Sequence, residues 1–396
     1  MTVRILVGDV REQLAGLPDE SVHCVVTSPP YWGLRDYGVA GQLGLEPTPQ
    51  AHVQAMVDVF RAVRRVLRPD GVCWVNYGDS YATSVNGRSA ADTKAAGRDD
   101  RTFRDKPFGT AVGGLKPKDL CMVPARFALE MQADGWWLRS MMPWVKRNGM
   151  PESIKDRPAT AVEYVFLFSR SERYWYDAEA VRRELAPASV DRLAQDVDAQ
   201  AGSYRANGGR KTNGRMKAVG GDKQRGHSRR HAGFNDRWDK MEREEQTAQG
   251  RNFRNSDLFF ESLDGPHGLL SDGQGGPLAL DVPPQPFTEA HFATFPPNLV
   301  EPLIKAGCPK DGTVLDPFGG AGTTGLVADR LGRNAILIEL NPAYAEIARK
   351  RITGDGPLFA EVSIPEGPRA YDECIREIRA RKVAAGELPI IEGYDR

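Results

Sequence analysis

The sequence predicts an α/β fold: a doubly wound, mostly parallel seven-stranded sheet that carries a long inserted segment. Three observations predict it. Short apolar runs alternate with stretches of helical period on both sides of the chain's middle. A Gly-rich turn separates one apolar run from a helical stretch. Between them, from Glu184 to Gly276, the apolar pattern dissolves into Gly, Arg, Asn, Gln and Asp.

In chain order, Arg4-Ile5-Leu6-Val7 is the first strand, followed by Gly8-Asp9 and a helix-like stretch, and Cys24-Val25-Val26 is the second. Val53, Met56, Val57, Phe60, Val63 and Leu67 recur at helical spacing, and Pro69-Asp70-Gly71 is expected to end that segment. A third strand follows at Val72 to Val75, then strands at Met141 to Val145 and Val162 to Phe168. After the insertion, order returns at Phe295-Pro296 with a helix to Gly307 and a strand at Thr313-Val314-Leu315. The Gly-rich turn, a helix ending at Gly332, a strand at Ala335 to Ile338 and a helix capped by Asn341-Pro342 complete the pattern. Residues 1–183 and 286–354 thus read as two halves of one α/β domain, 184–285 as a basic and partly mobile insertion, and 355–396 as a C-terminal tail.

Composition narrows the class. Apolar residues make up 40% and charged residues 27%, the balance of a soluble globular protein. No apolar run is long enough to span a membrane and the N-terminus lacks a signal-peptide pattern, so a cytoplasmic protein without a membrane partner is expected. The five cysteines are scattered, with no C-x-x-C pair and no ligand spacing to His, which predicts reduced thiols and no metal site. Net charge is zero, 53 basic residues against 53 acidic, but its distribution is uneven. Arg205, Arg210, Lys211, Arg215, Lys217, Lys223, Arg225, Arg229 and Arg230 cluster within the insertion against the single acid Asp222. Such a cluster fits an arm that tracks phosphates, and a solvated surface equally.

The first motif with chemistry is Asp316-Pro317-Phe318-Gly319-Gly320-Ala321-Gly322-Thr323-Thr324-Gly325, between a strand and a helix. Its glycines let backbone approach a ligand, and the helix start offers unpaired N–H groups. Gly320, Gly322 and Gly325 also satisfy the G-x-G-x-x-G of dinucleotide sites, with Glu339 at the next strand end for ribose hydroxyls, so a nicotinamide-dependent oxidoreductase stays open. Asp316 tilts the choice, because a carboxylate at that position suits an ammonium group and repels pyrophosphate. An adenosyl cofactor ending in methionine matches all three features.

The second motif, Thr27-Ser28-Pro29-Pro30-Tyr31-Trp32, follows the second strand directly. Two prolines make a rigid turn at a strand's carboxyl end, where open α/β sheets build their sites. The Ser28 hydroxyl and a Ser28 or Pro29 carbonyl can accept amine hydrogens, and Tyr31 offers a flat stacking face.

Together the two motifs resemble those of the amino-methylating DNA methyltransferases, which modify N4 of cytosine or N6 of adenine. The family's D/N/S-Pro-Pro-aromatic tetrapeptide and its D-P-F-x-G-x-G-T-T turn are both present, in the order of the circularly permuted β group. Gly8-Asp9, Trp144-Val145-Lys146, Arg157-Pro158, Glu163 and His291 to Pro296 are similar too. The resemblance implies a Rossmann-like methyltransferase fold and S-adenosylmethionine held by Asp316, Phe318, Gly320, Gly322, Thr323 and Thr324. Glu339 would hold its ribose hydroxyls, Asn341 would be a further cofactor-binding residue, Asp9 would lie near its adenine, and Phe292, Thr294 and Phe295 at its methionine end. Ser28, Pro29, Pro30 and Tyr31 would hold a flipped base of double-stranded DNA. A serine heading the tetrapeptide favours N4 of cytosine, with N6 of adenine as the alternative. Carbon-5 methylation is excluded, since no cysteine follows a proline. The resemblance places the basic cluster on DNA, puts target specificity in the insertion, and is compatible with a homodimer and with a cognate restriction endonuclease.

Overall fold

The computed structural model describes residues 1–34, 36, 39, 41–83, 109–146, 155–158, 160, 162–181, 280–281, 295–355 and 361–364. The chain divides into two units, Met1–Ala180 with Arg254–Arg396, and Val181–Phe253; Val181 apart, the second lies outside the described residues. The first unit holds the strands β1 (Thr2–Val7), β2 (Val22–Thr27), β3 (Leu67–Tyr77), β4 (Trp137–Val145), β5 (Val162–Ser169), β6 (Leu280–Asp281), β7 (Thr313–Asp316), β8 (Asn334–Glu339) and β9 (Glu361–Ser363). Its helices are α1 (Val10–Ala15), α2 (Pro49–Val66), α3 (Val123–Ala133), α4 (Pro297–Gly307), α5 (Thr323–Arg330) and α6 (Pro342–Asp355).

The strands form one sheet in the order β6-β4-β5-β3-β2-β7-β8-β1-β9. Only β5 runs against its neighbours, β3 and β4; the other pairings are parallel. The late strands β7 and β8 lie between the early strands β2 and β1, so the two separated halves of the sequence build a single sheet. Among the described residues the sheet has nine strands, two more than the seven expected. The two extra ones are three residues or fewer, too short for a period-two pattern to announce them.

Both faces of the sheet are covered, which explains why its strands read as continuous apolar runs. Val25, Cys73, Val75, Leu315, Ile336 and Ile338 point into a core shared with α1, α2 and α3. The alternate residues Cys24, Val72 and Trp74 face α4, so closely that a Cβ on Gly307 would stand within 2.9 Å of each. Helix α2 is capped by the Thr48 side chain, carries Pro49 at its start, and buries the predicted stripe Val53, Met56, Val57, Phe60 and Val63. Each such side chain stabilises the fold by about 1.5–3 kcal/mol on burial.

Two local expectations are corrected. Pro69-Asp70-Gly71 does not end the segment before β3 but lies inside it: Val22 pairs with Leu67 and Cys24 with Val72, so the extra residues bulge from the ladder. Helix α3 was not anticipated. Its signal was legible, with Val123, Phe127, Ala128 and Met131 buried at helical spacing, Pro124 in the first turn and Gly135 just beyond.

Cys24, Cys73, Cys121 and Cys308 are buried. Among the described residues no helix is long and apolar enough to cross a membrane.

Candidate active site

Parallel strands with both faces buried leave one place for polar chemistry, the edge where their carboxyl ends emerge. Strands β2 and β7 are neighbours there, with Cys24 opposite Val314 and Val25 opposite Leu315, so the two motifs leave the sheet side by side. The contact is direct. Thr27 Oγ1 donates to Asp316 Oδ1 at 2.6 Å, Thr324 Oγ1 donates to Asp316 Oδ2 at 2.7 Å, and the Phe318 N–H donates to Oδ1 at 3.0 Å. Asp316 is 1% exposed, and burial pushes its carboxyl up to about 6 despite these three donors.

The turn that follows requires glycine at two positions. Gly320 and Gly322 have φ of 50° and 76°, in the left-handed region. A Cβ on Gly322 would also stand 2.8 Å from that of Ala348, so its absence lets α5 seat against α6. The Gly320 N–H donates to Glu339 Oε2 and the Asn341 N–H to Glu339 Oε1, each at 2.8 Å. Burial pushes the Glu339 carboxyl up to about 7, the charge of Asp316 adding to the rise.

Around this centre, Asn341 accepts from the Ala343 N–H and so caps α6 as expected. Asp9 caps α1 and accepts from the Arg11 guanidinium, which holds its carboxyl below the usual range despite partial burial; the Gly8 N–H bonds the Glu339 carbonyl, which brings Asp9 to the same edge. Thr323 is buried, and its hydroxyl accepts from Arg351 on α6. Thr324 is also buried, and its hydroxyl lies within 3.2 Å of the Val26 carbonyl, tying α5 back to β2. Phe318 and Phe295 are half-buried. Phe292, Thr294 and all nine basic residues of the insertion lie outside the described residues.

On the other motif, Pro29 is buried and Ser28, Pro30 and Tyr31 are partly exposed. Tyr31 packs its ring against Tyr77, centroids 5.6 Å apart, and its hydroxyl donates to Glu163 Oε2 at 2.8 Å. Ser28 Oγ donates to the same hydroxyl at 3.3 Å, and Asn76 Nδ2 donates to it at 3.0 Å. Lys146 is ion-paired with Glu163. Behind Tyr77, His52 bridges the Tyr77 hydroxyl at 2.5 Å and Glu46 at 2.7 Å. Tyr77, Asn76 and Gly78 escaped the sequence reading, though all stand at the carboxyl end of a strand, where such residues are worth suspecting.

Gly78 gives Tyr31 its space: a Cβ there would stand 2.5 Å from Tyr31 Cε2. Gly78→Ala is expected to displace the Tyr31 ring and lower turnover by about tenfold or more while ligand affinity at the Asp316 turn is unchanged. Steady-state kinetics beside calorimetry would check it, and an unaltered turnover would contradict it.

The fold and site define a class: a doubly wound α/β enzyme whose acidic Gly-rich turn meets a rigid Ser-Pro-Pro-Tyr loop at one sheet edge. Three carboxylates, Asp9, Asp316 and Glu339, gather at that edge. Such a donor set suits a cationic nucleoside carrying an amino-acid group and disfavours pyrophosphate.

The DNA methylase family model, covering N6- and N4-methylating enzymes, matches residues 22–350. Type II methyltransferase M.XycI of Xanthomonas campestris pv. cyanopsidis is 37% identical over 347 residues, 88% of this chain and 86% of that protein. M.Cfr9I of Citrobacter freundii is 36% identical over 348 residues, 88% of this chain and 87% of that one. Among solved structures, the cytosine-N4-specific PvuII DNA methyltransferase shares the fold at a TM-score of 0.50 and 19% identity, covering 97% of this chain and 94% of that one. The chain belongs to the N6/N4 DNA methylase family. It is an amino-group DNA methyltransferase with S-adenosylmethionine as methyl donor, which removes the nicotinamide reading.

Proposed function

We propose that this enzyme methylates N4 of a cytosine flipped out of double-stranded DNA, with the base held at Ser28-Pro29-Pro30-Tyr31 and the donor held at the Asp316 turn. The observation that carries the reading is the hydrogen bond from Thr27 to Asp316, 2.6 Å long, which joins the two motifs. Asp316 would take the cofactor's ammonium, with Phe318, Gly320, Gly322, Thr323 and Thr324 lining the turn. Glu339, beside Asn341, would take the ribose hydroxyls; Asp9 would lie near the adenine, and Phe292, Thr294 and Phe295 at the methionine end. S-adenosylmethionine supplies an electrophilic methyl group on a sulfonium.

The remaining work falls to the chain's own groups. An exocyclic amine is a poor nucleophile because its lone pair is delocalised into the ring. Ser28 Oγ and a Ser28 or Pro29 carbonyl, by accepting both amine hydrogens, favour a pyramidal nitrogen with its lone pair free. The base must leave the helix to reach them, and the partly exposed Tyr31 is its resting surface. A serine heading the loop resembles the N4-cytosine members of the family, which favours cytosine. Arg205, Arg210, Lys211, Arg215, Lys217, Lys223, Arg225, Arg229 and Arg230 supply phosphate contacts that hold the duplex.

Sequencing of plasmid DNA methylated by the purified enzyme, with detection that separates N4-methylcytosine from N6-methyladenine, tests the base. N6-methyladenine alone would replace cytosine by adenine, and no mark at all would reject the function. The site's charge gives a second test. Glu339 and Asp316 lose charge as pH falls through about 7 and about 6. Cofactor affinity by calorimetry is therefore expected to drop about tenfold between pH 8 and pH 6; equal affinity at the two values would contradict these roles.

A further inference from the structure

We propose that Ser28, Tyr31 and Glu163 form a proton path that takes up the hydrogen lost by the target amine, with Glu163 as terminal acceptor. The proposal rests on the reading above, in which Ser28 faces that amine.

The path has a direction. Ser28 Oγ donates to Tyr31 Oη at 3.3 Å and Tyr31 Oη donates to Glu163 Oε2 at 2.8 Å. Asn76 makes that direction obligatory: its Nδ2 donates both to Tyr31 Oη at 3.0 Å and to Glu163 Oε2 at 2.9 Å. With Asn76 and Ser28 both donating to the phenol oxygen, the one phenol hydrogen points at the carboxylate. Turning the Asn76 amide over would set its oxygen against Glu163 Oε2, acceptor against acceptor, so chemistry decides its orientation. Lys146 pairs with the other carboxylate oxygen, Oε1, and so leaves Oε2 to the path. Ser28, having given its hydrogen to Tyr31, presents only lone pairs outward.

Each bond in the step is accounted for. The amine nitrogen forms its bond to the methyl carbon as the carbon–sulfur bond breaks, that electron pair staying with sulfur. The N–H bond then breaks and its pair returns to nitrogen. Its proton joins Ser28 Oγ, the former Ser28 proton passes to Tyr31 Oη, and the former Tyr31 proton passes to Glu163 Oε2. Glu163 ends neutral and releases the proton to solvent after the product departs. A carboxylate suffices as acceptor because a methylated, positively charged nitrogen on an electron-poor ring is a stronger acid than a carboxylic acid. Burial pushes the Tyr31 hydroxyl well above its usual range, and exchange of O–H bonds never requires it to ionise.

Glu163→Gln keeps the shape and removes the acceptor. Single-turnover transfer of labelled methyl to plasmid DNA is expected to fall about 100-fold or more, with cofactor affinity by calorimetry unchanged. With cofactor saturating, Glu163→Asp should partly restore the rate that Glu163→Gln loses, which a packing role would not do. Isotope-edited infrared spectra across one turnover should show a protonated carboxyl band in wild type and none in Glu163→Gln. A Glu163→Gln variant with the wild-type rate overturns the path. Should Glu163→Gln fail to fold, Tyr31→Phe interrupts the same chain at its middle, and a wild-type rate there overturns it equally. Full transfer by Ser28→Ala would remove the parent reading, whereas slow transfer by Ser28→Ala beside an unimpaired Glu163→Gln rejects the path alone.

Discussion

Ser28→Ala is expected to lower methyl transfer by about 100-fold or more while leaving cofactor affinity within a factor of about two. The separation follows from where the hydroxyl points. Ser28 Oγ bonds only Tyr31 among the described residues, while the acidic turn is anchored through Thr27, one residue earlier, and through Thr324. In the proposed pose, removing the hydroxyl therefore takes an acceptor from the target amine without disturbing Asp316. Transfer to plasmid DNA and calorimetry with the cofactor read the two quantities independently. A variant that loses both together would show that the loop and the turn are not separable in function.

Asp316→Ala should do the reverse, weakening cofactor affinity by about tenfold or more, and it should cost stability as well. The carboxylate accepts from the Thr27 and Thr324 hydroxyls and from the Phe318 N–H; alanine leaves the Thr27 hydroxyl and the Phe318 N–H without this acceptor, while Thr324 keeps the Val26 carbonyl within reach. Each orphaned group costs about 1–3 kcal/mol, so thermal unfolding should move down by several degrees. Asp316→Asn separates charge from packing. Burial raises the native carboxyl to about 6, above its ordinary unfolded value, so the native state binds more protons than the unfolded chain across that interval. Stability contributed by this group is present below pH of about 4 and is lost as pH rises through about 6. Asn should flatten that part of the stability profile; an unchanged profile would show that another group governs it.

How much was legible in advance differs from residue to residue. The Pro-Pro turn after β2 and the glycines at 320 and 322 announce themselves because the backbone conformations they permit are available to few other residues. Helix α2 was legible from its apolar stripe. The surroundings of Tyr31 were not: Asn76 and Gly78 have no distinctive spacing, and the partnership of Glu163 with Tyr31 spans 132 positions. Nor did Pro69-Asp70-Gly71 behave as punctuation, because pairing of β3 with β2 on both sides of it absorbed the turn as a bulge.

What the amino-acid sequence alone determined is the local chemistry: a hydroxyl and two prolines ending one strand, a carboxylate and flexible glycines ending another, and the family to which that pair belongs. Only the tertiary structure decided that the two ends meet, since Thr27 and Asp316 are 289 positions apart and their contact exists because β7 inserts beside β2. The physical reason is range. Backbone preference and side-chain type act over a few neighbouring residues, whereas strand order follows from burying both faces of the sheet at once, a property of the whole domain rather than of any segment.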